Sequence, residues 1–284
     1  MGQSAAFALA TRAATLDRVE ARSALFDLYG DHLRSRGDRA PIAALVRLLS
    51  PLGITPPAVR TAVSRMARQG WLESVRMPEG AGYALSRRAI HRLDEAADRI
   101  YRRSRREWDG RWHLIIAERT SERARRERLR AGLRYLGYAP LDESTWISPR
   151  PSPELDALLD TERVRAQQFV TQYDGDDRGL AARVWDLDGL ARSYQRWFGV
   201  ADDLLAQVGT DPSDETAFAV RSRLLHEWRR FLFSDPALPA QLLPGQWPAR
   251  KAADLFDAEA ARLLPPAARF VDRCLRTGTG LVTT

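Results

Sequence analysis

One short segment, Ile54 to Ser74, places cationic and hydrogen-bonding side chains at helical spacing. Its sequence is ITPPAVRTAVSRMARQGWLES, and a helical projection puts Val59, Val63 and Met66 on one side. The opposite side, with Arg65 at its flank, carries Pro57, Arg60, Thr61, Ser64 and Arg68. Arginine can donate two hydrogen bonds to guanine O6 and N7, while threonine and serine reach phosphates or base edges. The polar side therefore has the chemistry to read the major groove of DNA.

The residues before this segment predict two further helices. In ARSALFDLYGDHLRSRGDRA, Leu25, Leu28, Tyr29 and Leu33 share one helical face, and Gly37 ends the pattern. PIAALVRLLSPLG predicts a second short helix, broken by its Pro-Leu-Gly end. The third helix then begins at the Ile54 segment, where Thr55 is a candidate N-cap and Pro56 a first-turn proline.

The residues after the third helix predict a two-stranded hairpin. GWLESVRMPEGAGYALS alternates loosely around a Pro-Glu-Gly-Ala-Gly turn. Three helices followed by a hairpin are typical of a winged helix-turn-helix, here residues 1–85, with 1–20 as a tail or an extra helix. Arg76 near the hairpin tip is a candidate DNA-backbone contact, and Glu79 at the tip argues against deep insertion into a groove. The hairpin could equally serve only to close the domain.

The charge of the chain is unevenly distributed. Lys and Arg total 44 and Asp and Glu total 37, a net charge of +7, and Lys251 is the only lysine. Residues 1–110 hold 19 Arg against 12 acidic residues, whereas the remaining 174 residues hold 25 of each sign. A surplus confined to one part of the chain indicates a polyanion-binding module. An arginine-rich protein can also carry arginine on an ordinary solvated helix face, which is the alternative for the third helix.

The rest of the chain predicts two more domains. Residues 86–107 predict a long linker helix. An apolar strand at Trp112–Ala117 then opens a strand, helix, strand, helix, strand series, which indicates a ferredoxin-like α+β domain over 108–185. The later elements of this series are a strand at Thr145–Ser148, a helix near Ser152–Leu159 and a strand over 166–173. Residues 186–284 predict three principal helices, so the overall fold class is α+β and mainly helical.

Composition and residue spacing argue against several protein classes. No apolar run approaches the roughly 18 residues of a membrane span, and the N-terminus lacks the basic start of a secretory signal. A single cysteine, Cys274, fits a reducing cytoplasm. Neither a glycine-rich phosphate loop nor a nucleophile elbow is present, so we expect no enzymatic activity and no cofactor. The histidines lack metal-ligand spacing and predict no metal site: His32, His91, His113 and His226.

Several segments together resemble the PaaX family, the phenylacetate-degradation repressors. The resemblance runs through the Ile54 segment, the hairpin, EWDGRWHLII and LRYLGYAPLDESTWISP. It continues in RRFLFSDPALPAQLLPGQWPARKAADLF, residues 229–256, and covers nearly all of the chain from about Ala21 onward. The resemblance implies a winged-helix domain, a ferredoxin-like domain similar to the small endonucleases of CRISPR spacer acquisition, and a helical C-terminal domain. It also implies that 56–69 is the DNA-reading helix.

The family resemblance further implies a homodimer on palindromic operator DNA, released by an aryl-CoA thioester such as phenylacetyl-CoA. A flat acyl group favours an aromatic pocket, and CoA phosphates favour arginines. Aromatic and arginine side chains of this kind are interspersed in the C-terminal half: Trp185, Arg192, Tyr194, Arg196, Trp197, Trp228, Arg229 and Arg230. The alternative for each aromatic residue is an ordinary core position.

Two other functions stay open at this point. One is an architectural DNA-binding protein without an effector. The other is a metal-dependent nuclease acting through the central domain, although the first strand of that domain ends in Glu118 where an aspartate ligand would be expected.

Overall fold

The computed structural model describes residues 20–78, 80–100 and 107–276. Over these residues the chain is mainly helical with two small antiparallel sheets, which confirms the predicted fold class at this level. Apart from residue 20, the predicted tail or extra helix lies outside the described residues, as does Glu79 at the hairpin tip. None of the helices in the described ranges combines the length and apolar composition that crossing a lipid bilayer requires.

The first predicted helix changes its winding along its length. Helix α1 spans Ala21–Leu28 and continues as a π-helical segment, Tyr29–Leu33, and a 3₁₀ turn, Arg34–Arg36. Gly37 then ends it with φ 82°, a left-handed conformation that glycine adopts without strain. All four residues of the predicted apolar face are buried: Leu25, Leu28, Tyr29 and Leu33.

The second and third helices also form where the sequence predicts them. Helix α2 spans Ile42–Leu49, and helix α3 spans Pro56–Arg68 with proline in its first turn. Thr55 occupies the N-cap position with extended backbone, but its side chain forms no capping hydrogen bond. Proline explains this start, because it fixes the helical φ angle and lacks an N–H group that a cap would need to satisfy.

The predicted hairpin belongs to a three-stranded sheet. Strands β2, Leu72–Met77, and β3, Gly80–Leu85, pair antiparallel, and β1, Arg39–Pro41, adds to β3 to give the order β1-β3-β2. We did not predict β1 because three residues ending in proline show no alternation of their own. Its pairing with β3 is set by tertiary structure rather than by local sequence.

The middle of the chain forms a four-stranded antiparallel sheet of β4 Trp112–Ala117, β5 Ala139–Pro140, β6 Thr145–Ser148 and β7 Ala166–Thr171. The strand order is β5-β6-β4-β7. The sheet follows helix α4, Arg87–Ile100. Helix α6, Leu155–Glu162, begins three residues later than Ser152, because Ser152 and Glu154 form the turn that precedes it. Helix α5, Arg123–Tyr135, lies between β4 and β5 in the chain.

The remaining elements are helical. The three principal helices predicted here are present as α8 Leu187–Leu205, α9 Asp214–Arg229 and α11 Pro248–Arg276. Two short helices, α7 Asp177–Val184 and α10 Phe231–Ser234, accompany them. Two prolines inside α11, Pro265 and Pro266, do not end it.

The chain divides into two compact units that each combine distant segments. Among the described residues, the first unit joins those up to 100 with 197–228 and 253–276, and the second joins 107–196 with 229–252. The four consecutive ranges predicted from the sequence, with a separate C-terminal domain from residue 186, stay a prediction. In the first unit, one buried cluster contains residues of α1, α2 and α3 together with residues of α9 and α11.

Candidate nucleic-acid interface

The apolar side of α3 is sealed into the core of the first unit. Val59, Val63 and Met66 are each at most 1% exposed and pack in one cluster with residues of α1 and α2. Burial of these three side chains fixes the rotation of the helix about its axis, because any other rotation would expose apolar area to water. The orientation of the polar side follows from this burial.

The polar side of α3 is open to solvent. All eight residues predicted to contact DNA are exposed: Thr55, Pro57, Arg60, Thr61, Ser64, Arg65, Arg68 and Arg76. Within the described part of the chain, none of these four arginines forms a side-chain hydrogen bond or ion pair with another residue. Seven of the eight lie on α3 or at its N-cap, and Arg76 lies on β2, so the structure presents a cationic surface whose charges are available to an external anion.

The turn that connects α3 to the hairpin is fixed by several contacts. Gly70 adopts a left-handed φ of 72°, and the Trp71 amide donates to the Met66 carbonyl at 2.9 Å. The Ser86 hydroxyl donates to the Gly70 carbonyl at 2.7 Å, which ties the end of β3 to the end of α3. The Arg88 guanidinium lies 4.4 Å from the Trp71 ring centroid, within cation–π range. These contacts hold the hairpin at a defined angle to α3.

A groove of about 470 Å³ in the second unit contains part of the predicted effector set. Trp185, Arg192 and Arg196 line it, which brings one aromatic ring and two cations together. The other lining residues were not predicted: Asp186, Leu187, Gly189, Leu190, Ser193, Ser234 and Pro236. Ser234 and Pro236 come from a segment some forty positions further along the chain, so helical periodicity around Arg192 could not have found them.

The other predicted effector residues of the second unit have structural partners. Tyr194 is buried, stacks on Phe231 with ring centroids 4.1 Å apart, and donates a hydrogen bond to Asp235. Arg229 is half-buried, and burial lowers the pKa of its guanidinium. Arg230 is exposed. None of these three residues is among those that line the groove.

Trp197 and Trp228 belong to the first unit instead. Their ring centroids lie 5.0 Å apart in an edge-to-face arrangement, and Trp228 also stacks on Phe256 at 4.8 Å. Both tryptophans are buried. Their placement fits the alternative stated for the aromatic residues, a position in the core.

A second groove in the second unit, of about 420 Å³, lies at the end of β4 and includes Glu118. Glu118 forms an ion pair with Arg165 at 2.9 Å, and Arg119 pairs with Glu143 at 2.6 Å. His113, near the start of β4, forms a 2.6 Å hydrogen bond with the Tyr138 hydroxyl, and burial lowers the pKa of His113. Within the described residues, no three His, Cys, Asp or Glu side chains are grouped as a metal site would need.

Comparison with known proteins gives consistent matches along the chain. Three family models match: PaaX-like protein over residues 20–89, PaaX protein central Cas2-like domain over 105–182, and PaaX-like protein C-terminal domain over 185–273. The chain is 29% identical over 273 residues to "Transcriptional repressor PaaX" of Escherichia coli (strain K12), covering 92% of this chain and 86% of that protein. It also resembles the solved structure of "Uncharacterized protein Rv0674 from Mycobacterium tuberculosis", at 26% identity and a TM-score of 0.62, covering 89% of this chain and 98% of that one. The chain belongs to the PaaX family.

Proposed function

We propose that this chain is a DNA-binding transcriptional repressor that reads operator DNA through α3. The observation that carries the proposal is the exposed cationic side of α3, whose arginines pair with no described residue and whose orientation is set by the burial of Val59, Val63 and Met66. The repressor named among its relatives supports the same function. Three helices followed by a hairpin support a winged helix-turn-helix, in which α3 is the recognition helix.

Within this proposal, each part of the interface has a separate task. The positive charge of the first 110 residues draws the protein onto the duplex, and phosphate contacts set its register. Arg60 and Arg65 contact base edges in the major groove, and Arg76 on β2 contacts the DNA backbone. The cytoplasm, where bacterial DNA lies, is the proposed location.

A gel-shift titration on DNA from upstream of the chain's own gene tests the DNA-binding proposal. We expect a discrete shifted band that resists competition by unrelated duplex and weakens steeply as salt rises, because phosphate contacts release counterions. If unrelated duplex removes the shifted band as readily as specific duplex does, the result would instead favour the architectural alternative. No retention at low salt would contradict DNA binding altogether.

We further propose that an aryl-CoA or related acyl-CoA thioester releases the repressor from DNA by binding the groove at Trp185. The indole ring offers a surface for a flat acyl group, and Arg192 and Arg196 offer cations for the CoA phosphates. The test is thermal stabilisation and loss of the shifted band across a panel of acyl-CoA thioesters. Arg192→Ala with Arg196→Ala should reduce both responses while operator binding stays intact. If no thioester in the panel produces either response, the remaining function is that of an effector-independent DNA-binding protein.

A homodimer on a palindromic operator completes the proposal. Two α3 helices must reach two half-sites at once, so an effector that favours a different dimer geometry would release the DNA. The central part is proposed to be ferredoxin-like, and its antiparallel strand order β5-β6-β4-β7 with α5 and α6 supports this plan. Sedimentation of the protein alone tests the dimer, which should persist at micromolar concentration.

A further inference from the structure

Helices α9 and α11 complete the core against which α3 is packed. Phe218 of α9 and Phe270 of α11 belong to the same buried cluster as Val59 and Leu25. The Phe218 ring centroid lies 5.2 Å from that of His32 and 5.0 Å from that of Phe270. The helix that presents the DNA-reading side chains therefore shares its core with segments from the far end of the chain.

A buried ion pair lies within this composite core. Arg221 of α9 donates to both carboxylate oxygens of Asp31, from Nε at 2.8 Å and from Nη2 at 2.6 Å. The two side chains are only 6% and 4% exposed. The third nitrogen, Nη1, donates to the Ala260 carbonyl of α11. One guanidinium thus joins the π-helical segment after α1 to α9 and α11.

Further polar contacts follow the same boundary between the N-terminal and C-terminal helices. His226 Nδ1 lies 2.9 Å from a carboxylate oxygen of Asp27, one helical turn before Asp31. Arg36 pairs with Asp272 of α11 at 2.7 Å. Arg47 of α2 donates to the Cys274 carbonyl at 2.6 Å. The C-terminal helices are therefore connected to both helices that precede α3.

Stability alone does not account for a desolvated ion pair, because an apolar pair of similar volume is often as stable. What a bidentate arginine–carboxylate pair adds is a fixed mutual geometry. We infer that Arg221 is a positioning residue for DNA recognition: through Asp31 it sets α9 and α11 against α1, and thereby the core that orients α3. The DNA-reading unit would then be assembled from residues 20–100 and the C-terminal helices together. This inference rests on the proposed DNA-binding function.

The test compares full-length Asp31→Asn, Arg221→Met and the double variant by fluorescence anisotropy. The probe is the upstream duplex that the wild type binds, at a temperature where circular dichroism shows every protein folded. Each single variant should bind roughly tenfold more weakly or worse, because each removes one charge of the buried pair and the altered contact shifts the helices. The double variant should lose no more than the singles, because the two residues act as one unit. The slope of affinity against salt should not change, because no phosphate contact is removed.

Arg262→Ala is the matched control. It removes an ion pair with Glu259 inside α11 and a 3.4 Å hydrogen bond to the Gly209 carbonyl, and neither contact reaches the helices before α3. It should leave affinity at the wild-type value. If the folded single variants bind as tightly as the wild type, the pair is only structural and the inference is overturned. Losses that multiply in the double variant would also overturn it, because Arg221 would then not act through Asp31. A wild type that binds no duplex would contradict the proposed function instead.

Hydrogen exchange on the unmodified protein gives a second test that needs no variant. Amides of residues 59–66 in α3 and 221–226 in α9 should open in one cooperative step with the same free energy. If residues 221–226 open separately and more easily while 59–66 stay protected, α9 does not hold α3 and the inference is overturned.

Discussion

Arg60, Arg65 and Arg68 project from a helix whose other side is buried. This burial fixes the direction in which the three side chains leave the protein. An arginine on a freely rotating surface segment has no fixed direction, whereas these three extend from a backbone held by Val59, Val63 and Met66. Guanidinium groups in fixed positions can form paired hydrogen bonds with guanine, which a mobile side chain would form only at a larger entropic cost.

Replacing Arg60 or Arg65 by alanine should weaken binding to the upstream duplex. We expect a loss of about 1–3 kcal/mol for a residue that makes a bidentate base contact, with relaxed specificity at that base pair. The measurement is an anisotropy titration, with Arg134→Ala, an exposed arginine of α5, as the control. Unchanged binding curves for both α3 variants would refute the assignment of α3 as the reading helix.

His32 makes the stability of the first unit dependent on pH. Burial lowers the pKa of His32 to about 4 from an ordinary value of 6.5. The unfolded chain binds a proton below pH 6.5 while the folded protein does not, so the free energy of unfolding falls as the pH drops from 6.5 towards 4. This residue should contribute a loss of about 2 kcal/mol between pH 7 and pH 5.

Urea unfolding at pH 7, 6 and 5 measures this dependence. In His32→Gln the decline should be smaller by that amount, because the other titratable groups are common to both proteins. Parallel pH profiles for the two proteins would show that His32 is not held neutral by burial.

The residues proposed to contact DNA could be predicted from the sequence, but the buried pair of Asp31 and Arg221 could not. Helical periodicity assigns Arg60 to the polar side and Val59 to the buried side, and the structure shows one exposed and the other buried. Asp31 and Arg221 lie 190 positions apart, and no local pattern connects a lone aspartate with an arginine in an arginine-rich chain. Ser234 lies some forty positions beyond Arg192, so no local pattern assigns it to the groove at Trp185.

Among the elements, the hairpin of β2 and β3 carries a prediction of its own. Arg76 lies on β2 at the open edge of the three-stranded sheet, without a partner among the described residues. A backbone contact carries no sequence information, so Arg76→Ala should weaken specific and scrambled duplexes alike. It should also reduce the slope of log affinity against log salt by about 1.

Salt titrations of Arg76→Ala and of Arg250→Ala, an exposed arginine of α11, measure this effect. A loss confined to the specific duplex would show that Arg76 reads bases rather than phosphates. A slope equal to that of the wild type would show that the hairpin only closes the domain.

Elements with local signals formed where the sequence predicts them, and those without such signals were missed. The signals for the hairpin and for α2 lie within each segment: turn residues in the hairpin and apolar residues at helical spacing in α2. Both elements are present. Strand β1 has three residues and exists through its pairing with β3. Helix α7 is eight residues long, with a weak apolar pattern, and its Asp176 N-cap was not recognised.

At the scale of the whole molecule, the proposed dimer sets a geometric constraint on the operator. Two α3 helices fixed in one dimer reach half-sites that are separated by whole turns of the duplex. Inserting about five base pairs at the centre of the protected site should abolish tight binding, and inserting about ten should largely restore it. A footprinted operator with these insertions provides the measurement, and equal affinity for all three spacings would contradict a rigid dimer on two half-sites.

The central claim is that α3 reads a specific DNA sequence, and one competition titration tests it most directly. The wild-type protein is titrated at one fixed, moderate salt concentration into the upstream duplex and into a scrambled duplex of equal length and composition. We predict affinity for the upstream duplex at least about a thousandfold above that for the scrambled one, as specific binders show. Equal affinity for the two duplexes would contradict the claim.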